Sequence, residues 1–267
     1  MLWMLALLVQ DPVKLEPKAQ NGDRTTVKIT SSVTLEITTK DAEGTKKRVV
    51  TLDSGEDFSQ EVLLAEAGLV KQAKVRCDRS FRSKSVEGGG GESWTTALQG
   101  VNFRVTWTDA IKVETEGEMP VGAETVGAWN AYARLLPKDA VKVGDSWKVE
   151  VAAIAPIFWA DFENATGELS AKVEKIDTGI ATISLAGSIE GSTREGFSAK
   201  LTVADTSLVF DVAKGRAVSF TLGGSLSLVR KIVERRPKPG TMNEEIEVVH
   251  GEVSVQCPRL NVTVKFE

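Results

Sequence analysis

Glu124 to Val151 reads ETVGAWNAYARLLPKDAVKVGDSWKVEV, the one stretch of the chain where a helical period meets a strand period across a turn. Val126, Trp129, Ala133 and Leu136 recur at three- and four-residue steps, which lays an apolar stripe along a helix of about three turns. Pro137 ends it, because proline disfavours the α conformation in the residue before it and has no N–H to extend the ladder. Gly144 and Asp145 then supply a turn. Beyond it Trp147, Val149 and Val151 alternate with Ser146, Lys148 and Glu150, the two-residue period of a half-buried strand. The spacing predicts a helix over Glu124 to Leu136 that caps a sheet, with the Trp147 indole as its anchor.

On either side of this connection (119–151) the chain alternates. In the N-terminal half (24–118), Val27, Ile29, Val33, Leu35 and Ile37 fall in one phase and Thr26, Lys28, Thr34, Glu36 and Thr38 in the other. β-Branched residues in that pattern suit a pleated surface covered on one side. Asp41 to Gly44 turns the chain back through Val49, Val50 and Leu52. Phe58 to Ala67 has helix-forming composition at its centre but is short and ends at Gly68, so it is read as a strand, followed by another from Leu69 to Phe81. SKSVEGGGGES, Ser83 to Ser93, is read as a hairpin tip. A phosphate-binding loop would need Gly-Lys-Ser/Thr opening a helix, and Trp94 onward is extended instead. Val101 to Trp107 and Ile111 to Val113 bring this half to about six strands.

The C-terminal half (152–267) begins with Ala152 to Phe162, AAIAPIFWADF, the most apolar segment after the N terminus and broken by Pro156. It suits either a plug in the core or the lip of a pocket for an apolar ligand. On the second reading Trp129, Ile157, Phe158, Trp159 and Phe162 are the ligand-binding candidates. Leu169 to Val173 and Ala181 to Ile189, joined at Asp177-Thr178-Gly179, form the clearest hairpin. Further strands follow to Phe266. The basic run Arg230 to Lys238 is expected to pair with the acidic residues Glu244, Glu245 and Glu247 across a hairpin, as a charged edge that deters stray strand pairing.

Composition narrows the function classes. The chain of 267 residues is long enough for a sizeable core, with 42% hydrophobic and 26% charged residues. A net charge of −4 with both signs interspersed gives no field for nucleic acid. Leu2 to Val9 is too short to span a bilayer and is read as the apolar centre of a signal peptide over residues 1–10, followed by a polar lead over 11–23. The expected location is therefore the periplasm or cell envelope. Cys77 and Cys257, the two cysteines, each sit in an inward strand phase and are read as two buried thiols or as one disulfide between the halves. With one histidine, His250, and no nucleophile elbow, neither a histidine-activated nucleophile nor a hydrolytic zinc site is expected. Asp109, Asp145, Asp161 and Glu163 are the carboxylates near aromatics that could act as an acid–base pair, but 37 acidic residues supply such neighbours by chance. Asp53 to Asp57 lacks the ligand spacing of a calcium loop. No cofactor and no metal is expected.

LPKDAVKVGDSW (Leu136 to Trp147) and FDVAKGRAVSFTL (Phe210 to Leu222), with the alternating strands around them, resemble a group of uncharacterised exported bacterial β-rich proteins. The general architecture is similar to the open half-barrels with a helical cap of the periplasmic lipoprotein-carrier class. That resemblance implies a concave apolar face sheltering acyl chains, and it transfers no individual residue. The expectation is a mainly β protein: a large antiparallel curved sheet or half-barrel, or two related β units, with one short central helix against the concave side. The expected role is a non-catalytic binding or carrier protein for a lipid or other apolar small molecule. The alternative is a structural or interaction module whose core is filled by its own side chains. The sequence carries no signal for oligomeric state.

Overall fold

The structure, a computed structural model, describes residues 11–108, 110–151, 162–193, 195–237 and 245–267. Strands β1 (Arg24–Asp41), β2 (Gly44–Glu66) and β3 (Leu69–Val86) form an up-and-down meander. β4 (Gly91–Thr95) folds back on one end of β3, and β5 (Asn102–Trp107) and β6 (Ile111–Thr115) continue the sheet beside its other end. Phe58 to Glu66 belongs to the long β2, the strand reading of that segment, with Ala67 in the turn beyond it, and the glycine run turns β3 into β4 as its composition predicted. After the connection come β7 (Ser146–Val149), β8 (Phe162–Asp177), β9 (Ile180–Thr193), β10 (Ser198–Asp211), β11 (Arg216–Pro237) and β12 (Glu245–Phe266). Arg235 stands opposite Glu247 in the β11–β12 register, so the backbones of the two runs pair across that hairpin, while Lys238 and Glu244 lie outside the described residues.

These strands make one continuous antiparallel sheet, ordered β6-β5-β3-β2-β1-β12-β11-β10-β9-β8-β7 with β4 beside β3. The halves are thus joined by the pairing of the first strand with the last, Val27 opposite Phe266 through Lys40 opposite Glu252. The sheet is open and curved. Part of the curvature is built into β8 and β9, where Gly167 and Gly187 take φ of 136° and 144°; a Cβ at either would lie about 2 Å from a carbonyl oxygen of the neighbouring strand. Pairing the termini in the middle of the sheet places β6 and β7 on opposite edges. The chain between them has to cross a sheet face, and it takes the apolar inner one.

The crossing can be followed bond by bond. Trp107 on β5 donates its indole N–H to the Gly127 carbonyl at 3.0 Å. Trp129 donates to Gln60 on β2 at 3.0 Å and packs its ring 4.8 Å from Phe58. Tyr132 lies between Phe266 of β12 and Phe210 of β10. Trp147 on β7 closes the path by donating to the Leu135 carbonyl at 2.9 Å.

The crossing segment corrects the expected helix in pitch and breadth. It consists of two 3-10 stretches, Ala123–Thr125 and Ala128–Leu135, separated at Gly127, which has φ of 87°. Three residues per turn aligns Val126, Trp129, Tyr132 and Leu135 in place of the predicted 126-129-133-136 stripe. The narrower rod fits where Gly127 passes so close over Trp107 and Val105 that a Cβ would come within 2.8 Å of both. The helix ends at Leu135, as Pro137 predicted.

Cys77 and Cys257 are both free and buried. They lie on β3 and β12, with β2 and β1 between them, so three strand spacings of about 4.8 Å separate them across the sheet, well beyond the roughly 7 Å that a disulfide tolerates between Cα atoms.

Candidate functional site

The inner face divides into a plugged end and a more open end. At the plugged end Phe58, Val75, Phe103, Trp107, Val126, Trp129 and Leu135 are all buried, and the crossing segment fills the hollow of the sheet. Trp129, the sequence-predicted ligand contact, is 5% exposed and belongs to this plug. Ile157, Phe158 and Trp159 lie outside the described residues, and Phe162 opens β8 by pairing with Thr193. Of the carboxylate candidates, Asp109 and Asp161 also lie outside the described residues. Asp145 serves its turn, accepting the Lys142 N–H at 3.0 Å, and Glu163 is exposed on β8. His250 is exposed on β12.

Toward the other end of β1 to β3 the inner face changes character. Cross-strand register puts Ile29, Glu56 and Ser80 in one inward row and Ser31, Ser54, Arg82 and Trp94 in the next. These two rows form a polar ledge across an apolar face. Ser31 and Ser54 share a hydrogen bond of 2.8 Å. Ser80 accepts from the Thr96 hydroxyl at 2.6 Å and donates its backbone N–H to Gln99 at 3.2 Å. Burial pushes the Glu56 carboxyl above the ordinary glutamate range, and the Arg82 guanidinium pulls it partly back. Arg82 marks the limit of the plug, for its guanidinium stands 3.4 Å from where Gly122 would carry a Cβ.

Beyond the ledge the inward residues are Val33 and Leu52, then Leu35, Val50 and Val86, then Ile37 and Val255. Val50 is buried; the other six are only partly so. Trp94, 41% exposed, borders this strip from β4, and Lys84 and Arg48 stand in the same inward phase. The sequence carried a signal for the ledge. Val50, Leu52, Ser54, Glu56, Phe58, Gln60 and Val62 alternate without interruption, so Glu56 and Gln60 are in phase with the core. The acidic run Asp53 to Asp57 masks that phase, because its outward carboxylates lie between the inward residues.

Among the other concavities, two bear on the ends of the sheet. On the outer face a bowl of about 880 Å³ is crossed by the ladder Arg24, Glu61, Lys74, Arg104 and Glu114, whose charges of both signs make it a solvated surface. At the plugged end a cleft of about 400 Å³ opens between the N-terminal lead and the ends of β1, β2 and β11. The lead is tied down there by Lys18 N–H to the Gly215 carbonyl and Ala19 N–H to the Gly68 carbonyl, both at 2.9 Å. Among the described residues no three His, Cys, Asp or Glu side chains converge as metal ligands, and no helix is long and apolar enough to cross a membrane.

A solved structure similar to this chain is an outer membrane lipoprotein-sorting protein domain from Vibrio parahaemolyticus, 11% identical, with 89% of this chain and 85% of that one covered and a TM-score of 0.16. No family model matches the sequence, and no curated protein matches it.

Proposed function

We propose that the chain is a non-catalytic binding protein that holds an apolar or amphipathic small molecule on the inner face beyond the Glu56–Arg82 ledge. One observation carries this reading: Val33, Leu35, Ile37, Leu52, Val86 and Val255 face inward from an open curved sheet and stay partly exposed. The inward phase of a sheet is ordinarily sealed, and a contiguous apolar surface left partly open marks a place where something else is bound. Arg82, Lys84 and Arg48 in the same phase give the strip a cationic margin that suits a ligand with a polar or anionic end. Export through the apolar run Leu2 to Val9 belongs to the same proposal, and N-terminal sequencing of protein recovered from the periplasmic fraction tests it.

The binding reading is tested by native mass spectrometry of the purified protein together with titration of a fluorescent fatty acid. Co-purifying lipid, and probe binding weakened about tenfold by Leu35→Glu or Leu52→Glu with the fold intact, support it. A protein that carries no lipid and leaves the probe unbound refutes it. The second reading, a structural or interaction module, draws on the plug itself: Phe58, Trp129, Tyr132 and Leu135 occupy the hollow beneath the crossing segment, where the half-barrel analogy places a cavity.

A further inference from the structure

The cleft at the plugged end lies roughly 30 Å along β1 from the strip, counting about nine residues at 3.3 Å each, and is independent of it. Four cationic side chains line it, Lys18, Arg24, Lys214 and Arg216, against one carboxylate, Asp23, in a chain that is acidic overall. Asp23 is already engaged, accepting the Gln20 N–H at 2.8 Å. Arg24 pairs with the partly exposed Glu61 and Lys214 with the largely covered Asp211, both at 3.6 Å, while Arg216 has no ion pair among the described residues. Gln60 also lines the cleft. It is 6% exposed, and its Oε1 accepts from both Trp129 Nε1 at 3.0 Å and Asn130 Nδ2 at 2.9 Å. Two donors on one oxygen set the orientation of the amide and leave its Nε2 as a donor with no partner among the described residues. Because no buried side-chain nitrogen or oxygen among the described residues lacks a partner, the Nε2 opens onto the cleft, where it can donate to an anion beside the cationic rim. Val62, Val70, Tyr132 and Phe266 add apolar wall, and the volume falls in the range of small-molecule sites.

We propose that this cleft binds the oxyanion group, phosphate or carboxylate, of a small molecule whose apolar body rests on Tyr132 and Phe266. The Nε2 of Gln60 and the Arg216 and Lys214 side chains hold the oxyanion.

The Trp129 indole N–H, bonded to Gln60, gives a direct readout by proton–nitrogen NMR. Titration with inorganic phosphate, phenyl phosphate and benzoate at constant ionic strength should move that resonance saturably, with phenyl phosphate bound about fivefold tighter than phosphate and chloride without effect. Lys214→Glu with Arg216→Glu should weaken binding at least about tenfold while the thermal midpoint stays in place. Gln60→Glu keeps the acceptor for Trp129 and Asn130, replaces the donor with an anionic oxygen, and should abolish binding. Vesicles containing phosphatidic acid separate two sources of the same chemistry: retention that phosphate competes away assigns a lipid headgroup, and phenyl phosphate binding without retention assigns a soluble ligand. A resonance that does not saturate, that follows chloride equally, or that responds unchanged in the charge-reversed variant overturns the proposal.

Discussion

Trp129 and Gln60 are joined by a hydrogen bond of 3.0 Å between two buried side chains, one on the segment that crosses the sheet and one on β2. The same oxygen of Gln60 serves Asn130, so a single amide pins two successive residues of the crossing. Gln60→Leu leaves both donors without that acceptor and should cost about 2 to 3 kcal/mol in urea unfolding. Combined with Trp129→Phe, which removes one of the donors, the loss should fall short of the sum by about 1 kcal/mol. Strict additivity would show that the bond does not couple the crossing to the sheet.

Gly127 takes φ of 87° directly over Trp107 and Val105. Gly127→Ala combines a left-handed backbone with a contact closer than van der Waals distance, and should destabilise by about 3 kcal/mol. A control at Gly144, where φ is 92° and an added Cβ would meet no atom within 4 Å, isolates the backbone part at about 1 kcal/mol. Equal losses at the two sites would mean that the crossing moves away from Trp107 freely.

Trp147 is half-buried, and its N–H meets the carbonyl of Leu135, the last residue of the second 3-10 stretch. Trp147→Ala should cost about 2 to 3 kcal/mol, below the range for a fully buried indole, and Trp147→Phe about 1 kcal/mol for the bond alone. A loss under about 0.5 kcal/mol for the alanine variant places the indole in solvent.

Glu56 is held above the ordinary glutamate range by burial, so the folded chain keeps a proton that the unfolded chain releases. Its contribution is favourable below the unfolded pKa and is lost as pH rises through the folded one. Glu56→Gln removes that dependence. The variant should therefore gain stability relative to wild type on going from about pH 4 to pH 7, the window that opens at the unfolded glutamate pKa. Parallel stability–pH curves would show that Arg82 offsets the burial completely.

Burial, with Glu56, Asp78 and Asp57 nearby, pushes the Cys77 thiol up to about 12, and burial raises Cys257 as well. At pH 8 a thiol with that pKa is ionised on the order of one part in ten thousand, against about one in four for an ordinary cysteine. Iodoacetamide at pH 8 should leave both thiols intact in the folded protein and alkylate both in urea without prior reduction. A requirement for reductant would reveal a disulfide, and fast labelling when folded would show that the strands open readily.

Strand identity and phase were legible residue by residue. Val27 to Ile37, Leu69 to Phe81 and Leu169 to Ile189 announced their buried faces through alternation, and Asp177-Thr178-Gly179 announced its hairpin. The pitch of the helix was less legible, because Val126 and Trp129 fit both a three-residue and a 3.6-residue repeat. Tyr132 and Leu135 carried the alternative stripe, but the preference for it comes from the close pass of Gly127 over Trp107, an approach between residues 20 positions apart.

Periodicity and turn residues alone establish which segments are strands, which side of each is apolar, where the chain turns and where the crossing helix stops. Those features follow from backbone geometry and side-chain spacing within a few residues. The pairing of β1 with β12 is settled only in the folded whole, since nothing local distinguishes one antiparallel partner from another. That pairing sends β6 and β7 to opposite edges and drives the connection across the inner face. The β2–β3 hairpin brings Glu56 beside Arg82, whereas the forced crossing sets Trp129 over Gln60, so the plug and the cleft, unlike the ledge, come from strand partners chosen by the closure of the whole sheet.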